Sequence, residues 1–324
     1  MKTYRQPVFV TPCFEKRIWG GRRLATEFGF DIPDGSIGEC WAVSAYPGHE
    51  SEVLNGSGKG LRLSEFWERE PGFFGALPDS YVKAGYPFIT KIIDARDDLS
   101  IQVHPDDAYA AAHENGARGK TECWYILDCP AGATLVLGHN AATRAQFADM
   151  VREHRWNELL RRVPVRKGDF IQLEPGTIHA ITAGVMLLET QQSSDVTYRL
   201  YDYDRLEDGK PRQLHLSQSI DVVTVPEKDG DSMVKHMADT PVNVATEMVT
   251  CRFYSTYRLP VQGTAVLGSS ELFRIATVTG GSGTLTADGT VYSLERGASF
   301  LLPAGGADCT LRGSLELILG RPVL

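Results

Sequence analysis

Short apolar runs recur along this chain, and glycine or proline interrupts nearly all of them. That rhythm predicts many strands joined by turns rather than a helical bundle. Three segments carry helical periodicity instead. Ser64 to Glu70 reads as a short helix stopped by Pro71. Asp106 and Asp107 head a second, with acids at the positive helix end and Gly116 as its stop. Thr143 to Arg162 opens on Thr143-x-x-Gln146, a capping box. It carries Phe147, Met150, Val151, Leu159 and Leu160 at helical spacing, which predicts a small helical insertion over about 143–162.

The polar stretch Pro226 to Val244 has little apolar periodicity and predicts a connection between two units, 1–225 and 226–324. Beyond it, Met248–Leu259, Leu272–Thr279, Gly283–Ala287 and Thr290–Leu294 alternate as strands do, and Asp288-Gly289 marks a two-residue hairpin. The run from Lys167 to Gly176 is repeated in kind by Arg296 to Ala304: a glycine turn, a strand, then a proline turn. Two copies predict two similar β-barrels. The second has no histidine matching His179, and none follows His236, so any metal site belongs to the first unit.

A length of 324 residues suits about two domains. The net charge of −8 disfavours nucleic acid or an anionic membrane as partner. The tryptophans and tyrosines show no basic interleaving, which again speaks against nucleic acid. No run approaches the ~20 apolar residues of a membrane helix. The opening MKTYRQPVFVTPCFEKR lacks an apolar h-region, so no signal peptide is expected. Six scattered cysteines without a CxxC pair fit reduced thiols in a cytoplasm. Gly280-Gly281-Ser282-Gly283 lies between alternating strands with no helix after it, and reads as a hairpin turn rather than a phosphate loop.

Chemistry concentrates in three segments. Leu99 to His104 alternates strictly, so Ser100, Gln102 and His104 share one strand face. The same period places Lys120, Glu122 and Trp124 together on another. In Pro175-Gly176-Thr177-Ile178-His179, a tight turn presents His179 at the head of a strand. Taken singly, each is as well explained by a solvated strand face, a surface carboxylate or a hydrogen-bonded core histidine. Together, His104, Glu122 and His179 supply two imidazoles and a carboxylate, a set that suits a divalent metal. Zinc, manganese and iron(II) all accept it.

The string Pro87-Phe88-Ile89-Thr90-Lys91-Ile92-Ile93-Asp94, continuing to Ser100-Ile101-Gln102-Val103-His104-Pro105-Asp106, resembles the hallmark of type I phosphomannose isomerases. Further matches follow in family order: Trp19-Gly20-Gly21, Gly119-Lys120-Thr121-Glu122, Gly176-Thr177-Ile178-His179-Ala180, and Glu189 before Ser194-Asp195-Val196-Thr197-Tyr198-Arg199. The resemblance implies a mainly β protein of two cupin-like (jelly-roll) β-barrels with a few short helices, in the short bacterial form. It implies one Zn2+ per chain on His104, Glu122 and His179, with Gln102 a weaker candidate ligand. The implied reaction interconverts mannose 6-phosphate and fructose 6-phosphate through an enediol, and the implied partner is a small phosphorylated hexose. Arg199, Lys120 and Glu189 match catalytic positions, while Lys91, Ser100 and Gln102 match the substrate side. The longer family forms read Ser-Asp-Asn where this chain has Ser194-Asp195-Val196.

Proton transfer falls to Lys120, Glu189 or a metal-bound water, with Lys120 and Glu189 favoured and the sequence not choosing between those two. Arg199 suits a phosphate or a developing enediolate, or else an ion pair with Asp202 or Asp204. Lys91 lies in an apolar run where an unpaired amine is costly, so it requires a phosphate or an acidic neighbour. Two readings compete with the isomerase: an iron-dependent cupin oxygenase, and a non-catalytic sugar-phosphate-binding cupin. The second barrel reads as a packing partner.

Overall fold

The structure, a computed structural model, describes residues 4–324. Strand alternation builds its first part as two antiparallel sheets laid face to face. The seven-stranded sheet runs Val234–His236, Asp169–Leu173, Glu122–Asp128, Met186–Gln192, Phe88–Asp94, Ile37–Val43, Cys13–Gly21 in spatial order. The five-stranded sheet runs Leu160–Pro164, Thr134–His139, His179–Ala180, Ile101–Val103, Tyr198–Tyr201. Trp124, Ile126, Ile171 and Leu187 from the first meet Leu135, Leu137, Val163 and Ile181 from the second in one buried core. Intervening residues such as Tyr125 and Leu127 point outward into a separate core.

That outer core joins the two parts of the chain. The helices Leu63–Arg69 and Pro71–Phe74 pack Phe66, Trp67, Phe73 and Phe74 on the back of the seven-stranded sheet, with Phe273, Ile275, Leu301 and Ile318 from the C-terminal sheet. Phe273 is the hub. Its ring lies 5.1 Å from Phe74, 5.8 Å from Tyr86, 5.9 Å from Trp67 and 6.0 Å from Phe88.

The C-terminal sheet runs Val8–Phe9, Ser299–Leu302, Arg274–Ala287, Cys309–Pro322, Tyr254–Leu267, Thr246–Thr250, with Thr290–Glu295 paired to Arg274–Ala287. The repeat seen in the sequence is structural. Gly168 and Gly297 both turn with positive φ (86° and 93°) into strands that lie second from a sheet edge. Each edge is covered by chain from the other part, Val234–His236 in one case and Val8–Phe9 in the other. Asp288 and Gly289 form the expected hairpin, both at positive φ. The fold is mainly β with short helices, as expected, although its hydrogen-bonded sheets have open edges and do not close into barrels.

Three local expectations are corrected. Gly280 to Gly283 is not a hairpin turn but lies inside the strand Arg274–Ala287, paired residue for residue with Cys309–Pro322. The segment 143–162 is not one helix. Arg144–Arg152 is helical, with Thr143 Oγ1 accepting from Gln146 N–H, but His154 at φ 56° breaks it. Trp156–Leu159 adds one turn, and Leu160–Pro164 is a strand that pairs with Thr134–His139 and sends Val163 into the sandwich core. Burial of Val163 between the sheets outweighs the helical spacing from Leu160 onward. The connection 226–244 likewise contains the strand Val234–His236, latched by His236 Nδ1 at 2.6 Å from the buried Asp169 carboxylate. Among the described residues no helix is long and apolar enough to cross a membrane.

Phe273→Ala is expected to destabilise the protein by ~3–5 kcal/mol, the cost of emptying a fully buried aromatic site, and urea unfolding measures it. A loss below about 1 kcal/mol would show that the two parts are held together elsewhere.

Candidate active site

Three neighbouring strands of the five-stranded sheet set one wall of the site. Gln102 sits in the middle strand, in register with His179 on one side and Arg199 on the other. His104 follows two residues on. Gly176 makes the turn before His179, its N–H bonded to the His104 carbonyl at 2.9 Å. A Cβ at Gly176 would fall 2.5 Å from Thr224 Oγ1, and φ is +87°, so only glycine fits the turn. The facing wall comes from the seven-stranded sheet. Glu122 opposes Gln191, and Glu189 lies between Trp124 and Lys91. Trp19 is buried in the core beside the site, and Gly20 after it packs on the Gly38 backbone, where a Cβ would lie 2.3 Å from nitrogen.

At the floor, His104, Glu122 and His179 converge, all buried and with their ligand atoms within 4.8 Å of one another. His104 Nε2 is 3.5 Å from Glu122 Oε2, and His179 Nε2 is 3.3 Å from Oε1. The other nitrogen of each ring meets a backbone carbonyl at 2.9 Å: His104 Nδ1 that of Val196, His179 Nδ1 that of Thr177. A carbonyl accepts only, so each Nδ1 carries the proton and each Nε2 presents a lone pair. Burial pushes the His104 imidazole down to about 3, with Lys120 adding to the effect, and burial lowers His179 too. Both rings are therefore neutral at pH 7.

Neither oxygen of Glu122, a fully buried residue, receives a directed hydrogen bond from the protein. Lys120 Nζ approaches Oε2 at 2.9 Å and His104 Nε2 at 3.3 Å, supplying charge to one side of the cluster. Against burial, Lys120 above all holds the Glu122 carboxyl well below the usual range. Two ring lone pairs and an ionised carboxylate converge with only Lys120 and the Gln102 amide as donors at their margin, and that ligand set fits a divalent cation. Gln102 Nε2 lies 3.3 Å from His179 Nε2, so its amide borders the same point.

Above the floor opens a cavity of about 340 Å³ lined by Lys91, Ser100, Gln102, Lys120, Glu189 and Arg199 among others. Every substrate-side and catalytic residue expected from the sequence thus meets in one place. Lys91 has its acidic neighbours: Glu39 and Glu189 each lie 3.8 Å from its Nζ, and Trp41 lies under it. Lys91 and Arg17 hold Glu39 at about 2 in spite of its burial. Glu189 goes the other way. Burial first, then Glu122, raises it to about 7, although Trp124 Nε1–H donates to Oε2 at 2.8 Å. Lys120 stays charged, because Glu122 and Glu189 outweigh its desolvation. Arg199 does not form the ion pair with Asp202 that its neighbourhood suggests. Asp202 is taken by Arg205 and Arg212. Sequence reasoning missed Arg17, Glu39, Arg212 and His215, all of which line the cavity. They come from segments with no motif to mark them, and only the sheet register brings them in.

The chain is similar to known proteins along nearly its whole length. The family model for the type I phosphomannose isomerase catalytic domain matches residues 8–131, and that for the mannose-6-phosphate isomerase cupin domain matches 244–322. The chain is 44% identical over 315 residues to the mannose-6-phosphate isomerase ManA of Bacillus subtilis strain 168, covering 97% of this chain and 98% of the relative. It is 40% identical over 314 residues to a mannose-6-phosphate isomerase of Streptococcus mutans, covering 97% of each. The crystal structure of the mannose 6-phosphate isomerase from Bacillus subtilis superposes with a TM-score of 0.88 at 39% identity, over 98% of this chain and 99% of that one.

Removing any one of the three floor ligands should empty the floor. Elemental analysis after dialysis is expected to show that His104→Ala, Glu122→Gln and His179→Ala each retain divalent metal at least ~10-fold less tightly than the unaltered chain. Undiminished metal in any one of them would remove that residue from the set.

Proposed function

The chain belongs to the type I phosphomannose isomerases, and we propose that it interconverts mannose 6-phosphate and fructose 6-phosphate with a zinc ion held by His104, Glu122 and His179. The observation that carries this reading is the convergence of His104, Glu122 and His179 beneath a cavity that also holds a carboxylate of raised proton affinity. When bound, the metal supplies Lewis-acid stabilisation of the negative charge that develops on the substrate oxygens.

The reaction takes a proton from C2 of the open-chain aldose and returns one to C1, passing through an enediol. Glu189 is assigned this shuttle. A base working near neutral pH needs a proton affinity well above that of an ordinary carboxylate, and burial confers it. The Trp124 N–H fixes one Glu189 oxygen, leaving the other toward Lys91 and the cavity. Lys120, kept protonated by Glu122 and Glu189, donates hydrogen bonds and positive charge and does not remove the proton. Ser100 and Gln102 offer polar contacts to sugar hydroxyls, and Arg199 holds the anionic end. Six cysteines, all unpaired, support a reducing, cytoplasmic setting.

Protein stripped by a chelator is expected to lose mannose 6-phosphate turnover and to regain it with zinc. Metal-loaded protein without turnover would overturn the reading, and oxygen uptake by an iron-loaded form would put a cupin oxygenase in its place. Glu189→Gln should retain metal while kcat falls ~10²–10⁴-fold; a normal kcat would shift the shuttle to Lys120. Because Glu189 acts deprotonated, activity should fall as pH drops through its raised pKa. A kcat–pH profile should therefore show an acid limb above the ordinary carboxylate range, near 4.5.

A further inference from the structure

The cavity has two electrically different regions. Beside Glu189, the cations meet carboxylates: Lys91 lies 3.8 Å from both Glu39 and Glu189, Arg17 Nε lies 3.1 Å from Glu39, and Lys120 pairs with Glu122. Around Arg199 the situation is different. Its Nη1 donates to the Gln213 carbonyl at 2.9 Å, its buried Nε has no partner, and among the described residues no carboxylate pairs with it. Burial and the nearby Arg212 charge loosen its proton against the weaker pull of Asp202 and Glu207. Two guanidiniums facing one half-buried space repel each other unless an anion lies between them.

Arg212 is placed there by construction. Asp202, 4% exposed, accepts its Nε at 2.8 Å and its Nη2, and accepts Arg205 Nη2 at 2.6 Å. This fork fixes the guanidinium plane and leaves the Nη1 edge free of protein partners among the described residues. His215 completes the wall. Its N–H donates to the Arg199 carbonyl at 2.7 Å, and its Nδ1 accepts the Arg199 N–H at 3.1 Å. The proton of the neutral ring therefore sits on Nε2, a donor on the cavity lining. Glu207 is the acid on this side of the cavity, exposed on the hairpin Leu206–Glu207/Lys210–Pro211.

We propose that Arg212, positioned by Asp202, joins Arg199 and His215 Nε2 in a subsite for a phosphate dianion, which sets the preference for phosphorylated over free hexose. This deepens the isomerase reading and rests on it for the identity of the sugar. One or two charged hydrogen bonds are at stake in Arg212, so Arg212→Gln should lower kcat/KM for mannose 6-phosphate ~10–100-fold, chiefly through KM.

The decisive probe is inorganic phosphate, followed both as a competitive inhibitor and by calorimetric binding to the zinc-loaded protein. Its constant should rise by a similar factor in Arg212→Gln, and in the same direction in Asp202→Asn. Should Asp202→Asn fail to fold, Arg212→Gln still decides, because Asp202 keeps Arg205. A phosphate constant unchanged in Arg212→Gln overturns the subsite, as does a loss confined to kcat. Phosphate that binds the unaltered chain and is lost in Arg212→Gln, in protein that never turns over mannose 6-phosphate, would uphold the subsite while the isomerase reading falls.

Discussion

Glu122 is a carboxylate sealed between two sheets, faced by two imidazole lone pairs and given no directed hydrogen bond. An ionised carboxylate in such a place is costly unless charge and donors surround it. Lys120 supplies one charge from one side. The rings cannot help, because the Val196 and Thr177 carbonyls hold their protons on the far nitrogens. The protein has thus committed its own donors outward and left a convergent set of acceptors inside. A cation is the species that relieves this arrangement, and the cavity above it inherits its electrostatics.

Such a floor demands rigid spacing between the sheets, since Glu122 comes from one and both histidines from the other. Much of that rigidity lies outside the sandwich. On the back of the seven-stranded sheet, Trp67, Phe74, Tyr86 and Phe88 enclose Phe273, so the C-terminal sheet braces the wall that carries Glu122, Glu189 and Lys91. On the facing side, Phe147, Met150 and Leu159 pack beneath Val103, Ile178 and Ala180, the immediate neighbours of His104 and His179. The C-terminal sheet, whose strands carry no histidine, contributes to the site through this packing.

Residues that act through strand alternation were legible in the sequence. Ser100, Gln102 and His104, and Lys120 with Glu122, needed only a period of two to be put on common faces. The motif glycines were legible too, and their reason is steric, as Gly20 against Gly38 and Gly176 against Thr224 make plain. What escaped depends on register between distant strands. Nothing local says that Glu39 will meet Lys91, or that Asp202 will prefer Arg205 and Arg212 to Arg199, three positions away on the same strand and its extension. The error at 153–162 has the same origin. Leu159 and Leu160 look helical in isolation, and only the free edge at Thr134–His139 turns Leu160–Pro164 into a strand.

The charges of the cavity form a connected system. Near the floor, the carboxylates Glu39, Glu122, Glu189 and Asp195 stand against the cations Arg17, Lys91 and Lys120. Glu189 carries the raised proton affinity because it is buried, because Glu122 repels it, and because Lys91 is shared with Glu39. A cation beside Glu122 cancels the repulsion and leaves the burial contribution, which brings Glu189 toward its deprotonated form when the floor is filled. The same cation offsets the excess of negative charge in the cluster, so the floor and the carboxylates around it are matched to a metal.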